Sequence, residues 1–545
     1  MVLHEDKIGQ TLLLPLDLND IIPSDHICHY VAKLVDCYDF SEIHEKFIGT
    51  AGGKAYSRRM LLRLILLATI EGYKSSRDIE KQARLNTPYM WICGFDSPTY
   101  RTLINFKNDY EDLISDMLAI ILEDAKNEGL LKLGVIALDG TIEKANASNR
   151  NTVTDEILEL ARNLINESII QDKEDDETYG EEKVGEEVSP NLPLKKKIKK
   201  VVEASQKKAK EEKKEIEEIK ADELNLGFKF SPYEMQQIEK AYNQIDLIKK
   251  QRERSKDPKL KEKPIIISLS DPDSRFMKNK KGHIELSYNI QNITDCDSGI
   301  IIRSSLEQDP TDHYQAKKQL EKLMQNPNIN IDQAKILMDT GYNTEEAIKF
   351  FYEEGLDVYI PNKKQASENK NKKLGKYAKA NFQYNYEKNH YICPQGHILP
   401  HKNSYNENKK VYYTNKCKNC PNKKQCTPKS NYRIIIHYGT KYQDLMAQKM
   451  ENEENKEIYK KRANSERSFA YMKYTLGWTS MAAKDKVKNQ TDLDLITLAH
   501  NIKLTHNHKL KKNQHQNKEN TPKIKTTNTP ENQIFKNSMQ KLACT

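Results

Sequence analysis

The chain has 545 residues, a length that suggests about three or four domains and leaves room for a sizeable core. Charged residues make up 31% of the sequence, and no apolar run approaches the ~18 residues of a membrane-spanning helix. The N-terminal sequence MVLHEDKIGQ lacks the basic and apolar regions of a signal peptide. The composition argues against a membrane protein and predicts a cytoplasmic one.

Cysteine usage and charge narrow the class of protein further. Nine Cys are too sparse for a disulfide framework, and a cytoplasmic chain keeps them reduced. Four of them fall between Cys393 and Cys426, which makes that region a candidate metal site. The net charge is +9, and seven of those charges lie between Lys503 and Thr545, where nine Lys oppose two Glu. Because the rest of the chain is close to neutral, affinity for nucleic acid has to come from local basic patches.

Residues 1–130 show helical periodicity and predict an all-α domain. An apolar run from Met60 to Ile70 is followed by a break at Gly72 and by further helical segments. Helix, turn and helix with basic residues nearby is compatible with binding the DNA backbone. A plain helical bundle with solvated charges explains the pattern about equally well. The basic residues in question are Arg77, Lys81, Arg84, Arg101 and Lys107.

After residue 130 the sequence mixes strand and helix patterns. Leu133–Leu138 is a short apolar run with β-branched residues, typical of a buried strand, and it ends at Asp139. Residues 263–361 predict a hairpin, a helix, a second buried strand that ends at Asp339, another helix and a further strand. Strands that alternate with helices after a hairpin predict an α/β fold with a mixed sheet flanked by helices.

Other segments interrupt or extend this sheet domain. Residues 150–262 alternate acidic and Lys-rich blocks, which predicts a charged insertion, helical or disordered, that acts as a spacer or oligomerisation arm. Residues 362–455 form a second insertion, rich in Lys and Asn and then in Cys. Residues 456–503 return to helical periodicity. Residues 504–545 predict a basic, disordered tail whose DNA contacts would be non-specific and sensitive to salt.

The cysteine spacing of the second insertion predicts a zinc site. Cys417 and Cys420 form a Cys-x2-Cys pair, and Cys393 and Cys426 complete a set of four thiolates suited to tetrahedral Zn²⁺. His397 could replace one of the thiolates. The alternative is a group of reduced structural Cys, which are often simply buried, although buried Cys seldom cluster among Lys and Asn.

Residues 459–473 carry side chains suited to phosphate chemistry. The segment lacks Pro and Gly, and Tyr459, Arg462, Glu466 and Lys473 follow one another at steps of 3, 4 and 7. On one continuous helix these steps keep all four residues on the same face. A carboxylate flanked by an aromatic residue and two cations could bind a metal ion and grip a phosphate, with Arg binding bidentately. Tyr459 could stack on a base or donate a hydrogen bond to phosphate.

Three acidic residues form an ordered set, namely Asp139, Asp339 and Glu466. If the two predicted strands are neighbours, their ends bring the three carboxylates together, and such a group is costly without a cation. Oxygen-rich sites suit Mg²⁺ or Mn²⁺, and two such ions about 4 Å apart can drive phosphodiester cleavage. Taken singly, each residue is better explained by a strand-end turn or a solvated helix face. The ordered set makes that explanation much weaker.

The spacing Tyr459-x2-Arg462-x3-Glu466-x6-Lys473 resembles, without a gap, the Y-R-E-K signature of the DDE transposases of bacterial insertion sequences. Further segments resemble the same family, namely GYKSSRDIE and SPTYRTLINFK in the helical domain, LDGTIEKANAS around Asp139, DPDSRFMKNKKG from Asp271, YNIQ at Tyr288, MDTGYNTEE around Asp339 and the Cys-x2-Cys-Pro insertion. The resemblance extends from about residue 10 to 503 and leaves out residues 150–262.

The resemblance implies an RNase H-like catalytic core made of residues 131–149, 263–361 and 456–503, with DNA-end binding by the helical domain. It implies that the three carboxylates are the catalytic, Mg²⁺-binding triad of an enzyme that cuts DNA at terminal inverted repeats and joins the ends to target DNA. Such an enzyme would act as a homodimer or higher assembly, and members with this signature are associated with hairpin intermediates at the transposon end. Two alternatives stay open: a nuclease of the same fold without strand transfer, and a catalytically silent DNA-binding descendant.

Overall fold

The computed structural model describes residues 17–46, 55–166, 192–214, 224, 228, 230–254, 258–368, 375–385, 387–406, 409–438 and 440–520. The acidic block at 172–187 and the last part of the predicted tail, 521–545, lie outside the described residues. Within the described ranges, no helix combines the length and apolar character needed to cross a membrane.

The N-terminal region is helical, as predicted. Its described helices are α1 (Leu18–Ile21), α2 (Ile27–Asp36), α3 (Ser41–Glu45), α4 (Arg58–Ile70), α5 (Ser76–Leu85), α6 (Thr87–Cys93), α7 (Tyr100–Asp109) and α8 (Glu111–Asn127). Helix α4 is buried along most of its length because its sequence is apolar on nearly every face. Side-chain caps begin α4 and α5, where Ser57 and Ser75 accept hydrogen bonds from backbone N–H groups of the first turn.

A mixed sheet forms the centre of the protein, and its strands come from three separate parts of the chain. They are β1 (Val135–Lys144), β4 (Arg275–Lys278), β5 (Ile284–Asp295), β6 (Ile301–Glu307), β7 (Lys335–Met338) and β8 (Asp357–Tyr359). The order is β4-β5-β1-β7-β8, with β6 also paired to β5. Strand β5 runs antiparallel to β1, β4 and β6, whereas β7 is parallel to β1 and β8. The predicted mixed α/β sheet is therefore confirmed.

Strand β1 is longer than the sequence pattern predicts. The apolar run ends at Leu138, but antiparallel pairing with β5 continues through Asp139, which lies opposite Asn292, as far as Lys144. Parallel pairing with β7 stops at the pair Leu138–Met338. The prediction that a strand ends at Asp139 is thus wrong for β1, which continues to Lys144. It is right for the parallel pairing of β1 with β7, which stops just before Asp139. The long partner strand β5 supplies the hydrogen bonds that keep the polar half of β1 extended.

Helices cover this sheet and connect it to the N-terminal region. They are α13 (Gln315–Met324), α14 (Glu345–Glu353), α17 (Lys441–Lys449), α18 (Glu453–Lys460), α19 (Ala463–Ala470) and α20 (Lys486–Asn520). Helix α20 packs against α4, α8 and β6. Two short helical turns, Asp312–Tyr314 and Thr340–Tyr342, follow β6 and β7.

The prediction of a disordered tail from residue 504 is wrong for residues 504–520, which continue helix α20. Thr505 is fully buried, and Lys509 and Lys512 lie 2.8 and 2.9 Å from carboxylates of α8. Lysine stems can cover apolar surface while the amines reach acidic partners. A polar segment is therefore held as helix by its tertiary contacts, which composition does not record.

The first insertion has a small core of its own. Its described residues form β2 (Thr152–Thr154), α9 (155–166), α10 (Leu194–Glu212), α11 (Pro232–Glu253), α12 (Pro258–Glu262) and β3 (Ile266–Ser268), with β2 and β3 paired antiparallel. Apolar residues of α9, α10 and α11 form a buried cluster beside these strands. Lys197 is buried and lies 2.8 Å from Glu234. For the described residues, the helical alternative of the prediction is the right one, and the insertion is more than a solvated spacer.

The Cys-rich insertion contains a separate antiparallel sheet. Its described elements are α15 (Lys363–Glu368), β9 (Gln383–Asn385), β10 (His390–Ile392), β11 (Ile398–Asn406), β12 (Lys409–Tyr412), α16 (Lys423–Cys426) and β13 (Ile435–Tyr438). The strand order is β13-β12-β11-β10-β9. A small cluster that includes Phe382, Leu399 and Tyr412 is buried against this sheet, and Cys393 and Cys426 pack against it.

Candidate active site

The first two predicted carboxylates lie side by side at the edge where β1 and β7 part. Leu138 and Met338 are the last registered pair of the two parallel strands, so Asp139 and Asp339 follow paired residues. Backbone N–H groups hold both carboxylates, since Gly140 donates to Asp139 Oδ1 at 3.0 Å and Gly341 donates to Asp339 Oδ1 at 2.6 Å. The predicted convergence of the two strands is what the structure contains.

The segment 459–473 is not one continuous helix. Helix α18 ends at Lys460, and the N–H groups of Lys461 and Arg462 bond to carbonyls three residues back, which tightens the chain before α19. The turn between β5 and β6 fixes this break, because Lys461 Nζ lies 2.8 Å from Asp297 Oδ1 and Asn464 donates to the carbonyl of Cys296. After α19 the chain forms a π-helical turn, Tyr471–Thr475. The signature residues therefore occupy three local segments and still face the same edge of the sheet.

Arg462 links two of the predicted carboxylates. Its Nη1 lies 3.4 Å from Asp139 Oδ1, and its Nη2 lies 3.2 Å from Glu466 Oε1. The Arg462 and Asp139 side chains are 19% and 14% exposed, whereas Glu466 is 64% exposed, so Glu466 stands at the mouth of the site. Ser465 adds a hydroxyl 3.4 Å from Asp139 Oδ2. Arg462 thus contacts two members of the predicted triad, and its charge also acts on the third, Asp339, which follows β7 beside Asp139.

Tyr459 and Lys473 flank this group and bind the sheet. The Tyr459 hydroxyl donates to the carbonyl of Met338 at 3.1 Å. Lys473 Nζ donates to Thr141 Oγ1 at 2.9 Å and forms an ion pair with the buried carboxylate of Glu143. Thr141 and Glu143 follow Asp139 at two-residue steps, which places them on the same face of β1. In this structure the Lys473 amine binds Thr141 and Glu143 of β1. The phosphate contact predicted from the sequence would have to compete with these two partners.

Burial sets the electrostatics of the two aspartates. The pKa of Asp139 is raised to about 6, because burial and, to a smaller extent, the Asp339 carboxylate raise it while the Arg462 guanidinium lowers it. Burial likewise raises the pKa of Asp339, with the Gly341 N–H acting in the opposite direction and the Asp312 carboxylate adding to the rise. Both shifts reflect carboxylates held out of water with too little compensating positive charge.

Asp312 is a further acidic residue of the site, and sequence reasoning missed it. Its Oδ1 accepts hydrogen bonds from Gln291 Nε2 at 2.7 Å and Asn289 Nδ2 at 3.0 Å. Tyr342, fully buried, donates to Gln291 Oε1 at 2.5 Å. Asn289 and Gln291 belong to the YNIQ segment, so polar residues in an otherwise buried strand were the available sign. Asp312 itself sits in a helical turn after β6, where a capping role is the ordinary expectation.

The structure supports the predicted convergence of strands β1 and β7, but it does not support the two predicted metal sites in the same way. In the part of the chain that the structure describes, no group of three or more His, Cys, Asp or Glu side chains is arranged to hold a metal ion. This applies to the carboxylates around Arg462 and to the four cysteines of the insertion. The four cysteines are free and partly exposed. Burial raises the pKa of Cys426 most, and the thiols of Cys393, Cys417 and Cys420 add to the rise. Both metal sites therefore stay predictions.

Comparison with known proteins bears on two separate regions. A family model described as a transposase DDE domain matches residues 392–506, which include the whole of the 459–473 segment. A second, described as a transposase domain (DUF772), matches residues 16–109 of the helical region. No curated protein and no solved structure matches the chain. The two matches lie in the order expected from the sequence, and together they support a DDE transposase of the insertion-sequence type.

Proposed function

We propose that this transposase binds the terminal inverted repeats of an insertion sequence, hydrolyses phosphodiester bonds there and joins the freed ends to target DNA. The central sheet is the RNase H-like core, and Asp139, Asp339 and Glu466 are its catalytic carboxylates. The observation that carries the proposal is that β1 and β7 bring Asp139 and Asp339 to one edge of the sheet, while Arg462 joins Asp139 to Glu466 of α19. The protein works as a homodimer or higher assembly, because two DNA ends have to be joined.

The buried aspartates fit a divalent cation of the Mg²⁺ or Mn²⁺ type. Two adjacent carboxylates with raised pKa values are an unfavourable pair that a hard cation with oxygen ligands would relieve. Such an ion, when bound, activates a water or hydroxyl for attack and stabilises the leaving oxygen of a phosphodiester. The residues that would hold it are Asp139, Asp339 and Glu466.

Arg462 has two roles in this proposal. Without DNA it neutralises Asp139 and Glu466 and keeps the site compact. A planar guanidinium binds phosphate bidentately as readily as it binds carboxylate. With the carboxylates bound to a cation, Arg462 would be free to bind a phosphate next to the scissile bond. Tyr459, anchored on the Met338 carbonyl, packs beside Arg462 and limits where the guanidinium can go.

The direct test is cleavage of inverted-repeat DNA with Mg²⁺ or Mn²⁺. Glu466→Gln keeps the shape of the side chain and removes its charge, so we expect cleavage to be lost. Glu457→Gln is the matched control, because Glu457 is an exposed carboxylate on the neighbouring helix α18 and pairs only with Lys460 among the contacts described. Equal cleavage by wild type and Glu466→Gln would overturn the assignment.

The two alternative functions have separate outcomes in the same assay. A nuclease without strand transfer would accumulate cut ends that never join a target plasmid. A silent DNA-binding descendant would bind inverted repeats and show no metal-dependent cutting. Matching inverted repeats that flank the coding sequence would favour the transposase without any protein chemistry.

For the Cys-rich insertion we propose a structural Zn²⁺ held by Cys393, Cys417, Cys420 and Cys426. The thiols of Cys393, Cys417 and Cys420 each raise the pKa of Cys426, and the backbone N–H of His397 donates to Cys393 Sγ at 3.4 Å. A single tetrahedral site predicts about one zinc per chain. The double substitution Cys417→Ser with Cys420→Ser should abolish it. Reduced protein purified without chelator and found free of zinc would rule the site out.

A further inference from the structure

Gly140 and Gly341, which follow the catalytic aspartates, both lie close to the side chain of Asp312. A Cβ placed on Gly140 would lie 2.7 Å from Asp312 Oδ1 and 2.5 Å from Gln291 Nε2. A Cβ placed on Gly341 would lie 2.8 Å from Asp339 Oδ1 and 3.6 Å from Asp312 Oδ2. Neither glycine has a left-handed φ, so these positions need glycine for space. Asp312 and Gln291 occupy the space beside Gly140, and Asp312 also lies in ordinary contact with the position beside Gly341.

A buried amide clamp holds Asp312 there. Gln291 and Asn289 are 1% and 2% exposed, and both donate a side-chain N–H to the same oxygen, Oδ1. Gln291 Nε2 also donates to Asn289 Oδ1 at 2.9 Å, and the Tyr342 hydroxyl fixes the other end of the Gln291 amide. The buried amides of Gln291 and Asn289 thereby have hydrogen-bond partners at both of their polar atoms, as a buried network requires. The clamp engages Oδ1, and no hydrogen bond is described for Oδ2.

We propose that Asp312 is a fourth carboxylate of the catalytic centre and a positioning residue for its cation. The proposal rests on the proposed function, since it concerns the same site. Asp312 adds negative charge directly beside the backbones that carry Asp139 and Asp339. Its neighbour His313 contacts the carbonyl of Gly341 through Nδ1 at 2.7 Å, so the same turn also fixes the loop of Asp339. The charge strengthens cation binding, and the clamp keeps that charge at a fixed place.

Electrostatics supports this role. The Asp312 carboxylate raises the pKa of Asp339 and, after burial itself, is the largest cause of the raised pKa of Tyr342. Its field therefore reaches both the second catalytic carboxylate and the residue at the far end of the clamp. A negative charge in this position costs stability when no cation is present, and removing it leaves the cation less tightly bound.

The test is Mn²⁺ binding by the full chain without DNA, measured by titration calorimetry. Asp312→Asn keeps an oxygen for the clamp and removes the charge. We expect it to weaken Mn²⁺ binding about 10- to 100-fold, the range seen when partners of metal ligands are replaced. Asp309→Asn is the matched control, since Asp309 lies in the same loop and its carboxylate accepts a hydrogen bond from Gln315 outside the clamp. The substitution leaves the backbone carbonyl of Asp309, which Asn289 also bonds, unchanged. Its Mn²⁺ affinity should equal that of wild type.

A second readout is cleavage as a function of Mn²⁺ concentration. High Mn²⁺ should restore cutting by Asp312→Asn and should not restore it in Asp139→Asn. Equal Mn²⁺ affinity of wild type and Asp312→Asn, or a wild type that binds no Mn²⁺, would overturn the inference. A wild type that binds Mn²⁺ and cuts no DNA would contradict the proposed function alone. If circular dichroism shows that Asp312→Asn does not fold, Gly140→Ala is the second variant, because its Cβ must displace Asp312 or Gln291. It should weaken Mn²⁺ binding in the same way. Unchanged Mn²⁺ affinity would again count against the inference.

Discussion

Arg462 Nη1 lies 3.4 Å from Asp139 Oδ1, so the chain itself supplies positive charge to the first carboxylate of the candidate active site. The same guanidinium reaches Glu466 at 3.2 Å. One planar guanidinium thus bridges two carboxylates. Lys cannot reproduce this geometry, because its ammonium is a single point charge. This bridge holds the two carboxylates together, and under the proposed function it would have to open for a cation to bind.

The first prediction concerns Arg462→Lys. We expect cleavage of inverted-repeat DNA to fall about 100-fold, the usual cost of removing one charge-stabilising donor, while DNA binding changes little. The assay is single-turnover cleavage alongside a gel-shift measurement. Lys460→Ala is the control, because Lys460 is exposed and its ion pair is with Glu457. A variant Arg462→Lys that cuts at the wild-type rate would show that the bidentate geometry is unimportant.

The second prediction concerns the ion pair between Lys473 and Glu143. Glu143 is buried, and its pKa is raised by burial against the opposing effect of Lys473. Lys473→Met would leave a buried carboxylate unpaired, which costs about 3 kcal/mol or more. Thermal or urea unfolding should reveal this loss, and adding Glu143→Gln should recover much of it. If Lys473→Met leaves stability unchanged, the pair contributes nothing and Lys473 is free to serve DNA.

The contacts of the active site show how far sequence reasoning reaches. Apolar runs before Asp139 and Asp339 predicted two strands, and the structure places those strands side by side. The spacing of the signature predicted that Tyr459, Arg462 and Glu466 share a face. That outcome survives a break in the helix, because the β5–β6 turn holds both sides of the break against the sheet. Local periodicity cannot foresee a break whose cause lies in a distant turn.

What the sequence did not reveal depends on tertiary contacts. Asp312 is an ordinary acidic residue in a turn until β5 presents Asn289 and Gln291 to it. Lys509 and Lys512 belong to a polar segment that composition assigns to disorder, and the acidic residues that hold them lie on α8. In both cases the partner is far away in the sequence. One sequence gives no means of pairing such residues.

The third prediction concerns the end of helix α20. A chain that stops after Lys503 loses Leu504, which packs on the sheet core, and the buried Thr505. We expect the free energy of unfolding to fall by about 2 kcal/mol, the value of burying one aliphatic side chain. A chain that stops after Asn520 keeps all of α20 and is the control. Calorimetric melting of the two truncated chains decides the matter, and equal melting temperatures would show that residues 504–520 add no stability.

The fourth prediction is a pH dependence that comes from His500 in α20. This imidazole is 4% exposed, its Nε2 contacts the Gly299 carbonyl at 2.9 Å, and among the described residues its Nδ1 has no hydrogen-bond partner. Burial lowers its pKa from 6.5 to about 4, with the contact to the Gly299 carbonyl opposing the change. The folded protein therefore keeps His500 neutral, whereas the unfolded chain takes up a proton near pH 6.5.

The sign of the effect follows from this difference. Above pH 6.5 both states are neutral at His500 and there is no contribution, and between pH 6.5 and pH 4 the unfolded chain binds the extra proton. Stability should fall by about 3 kcal/mol over that range, since each pKa unit corresponds to about 1.4 kcal/mol. His500→Gln keeps a donor for Gly299 and cannot titrate, so the difference in melting temperature between wild type and variant should change steadily between pH 7 and pH 5. Parallel pH profiles for the two proteins would show that His500 is not the group responsible.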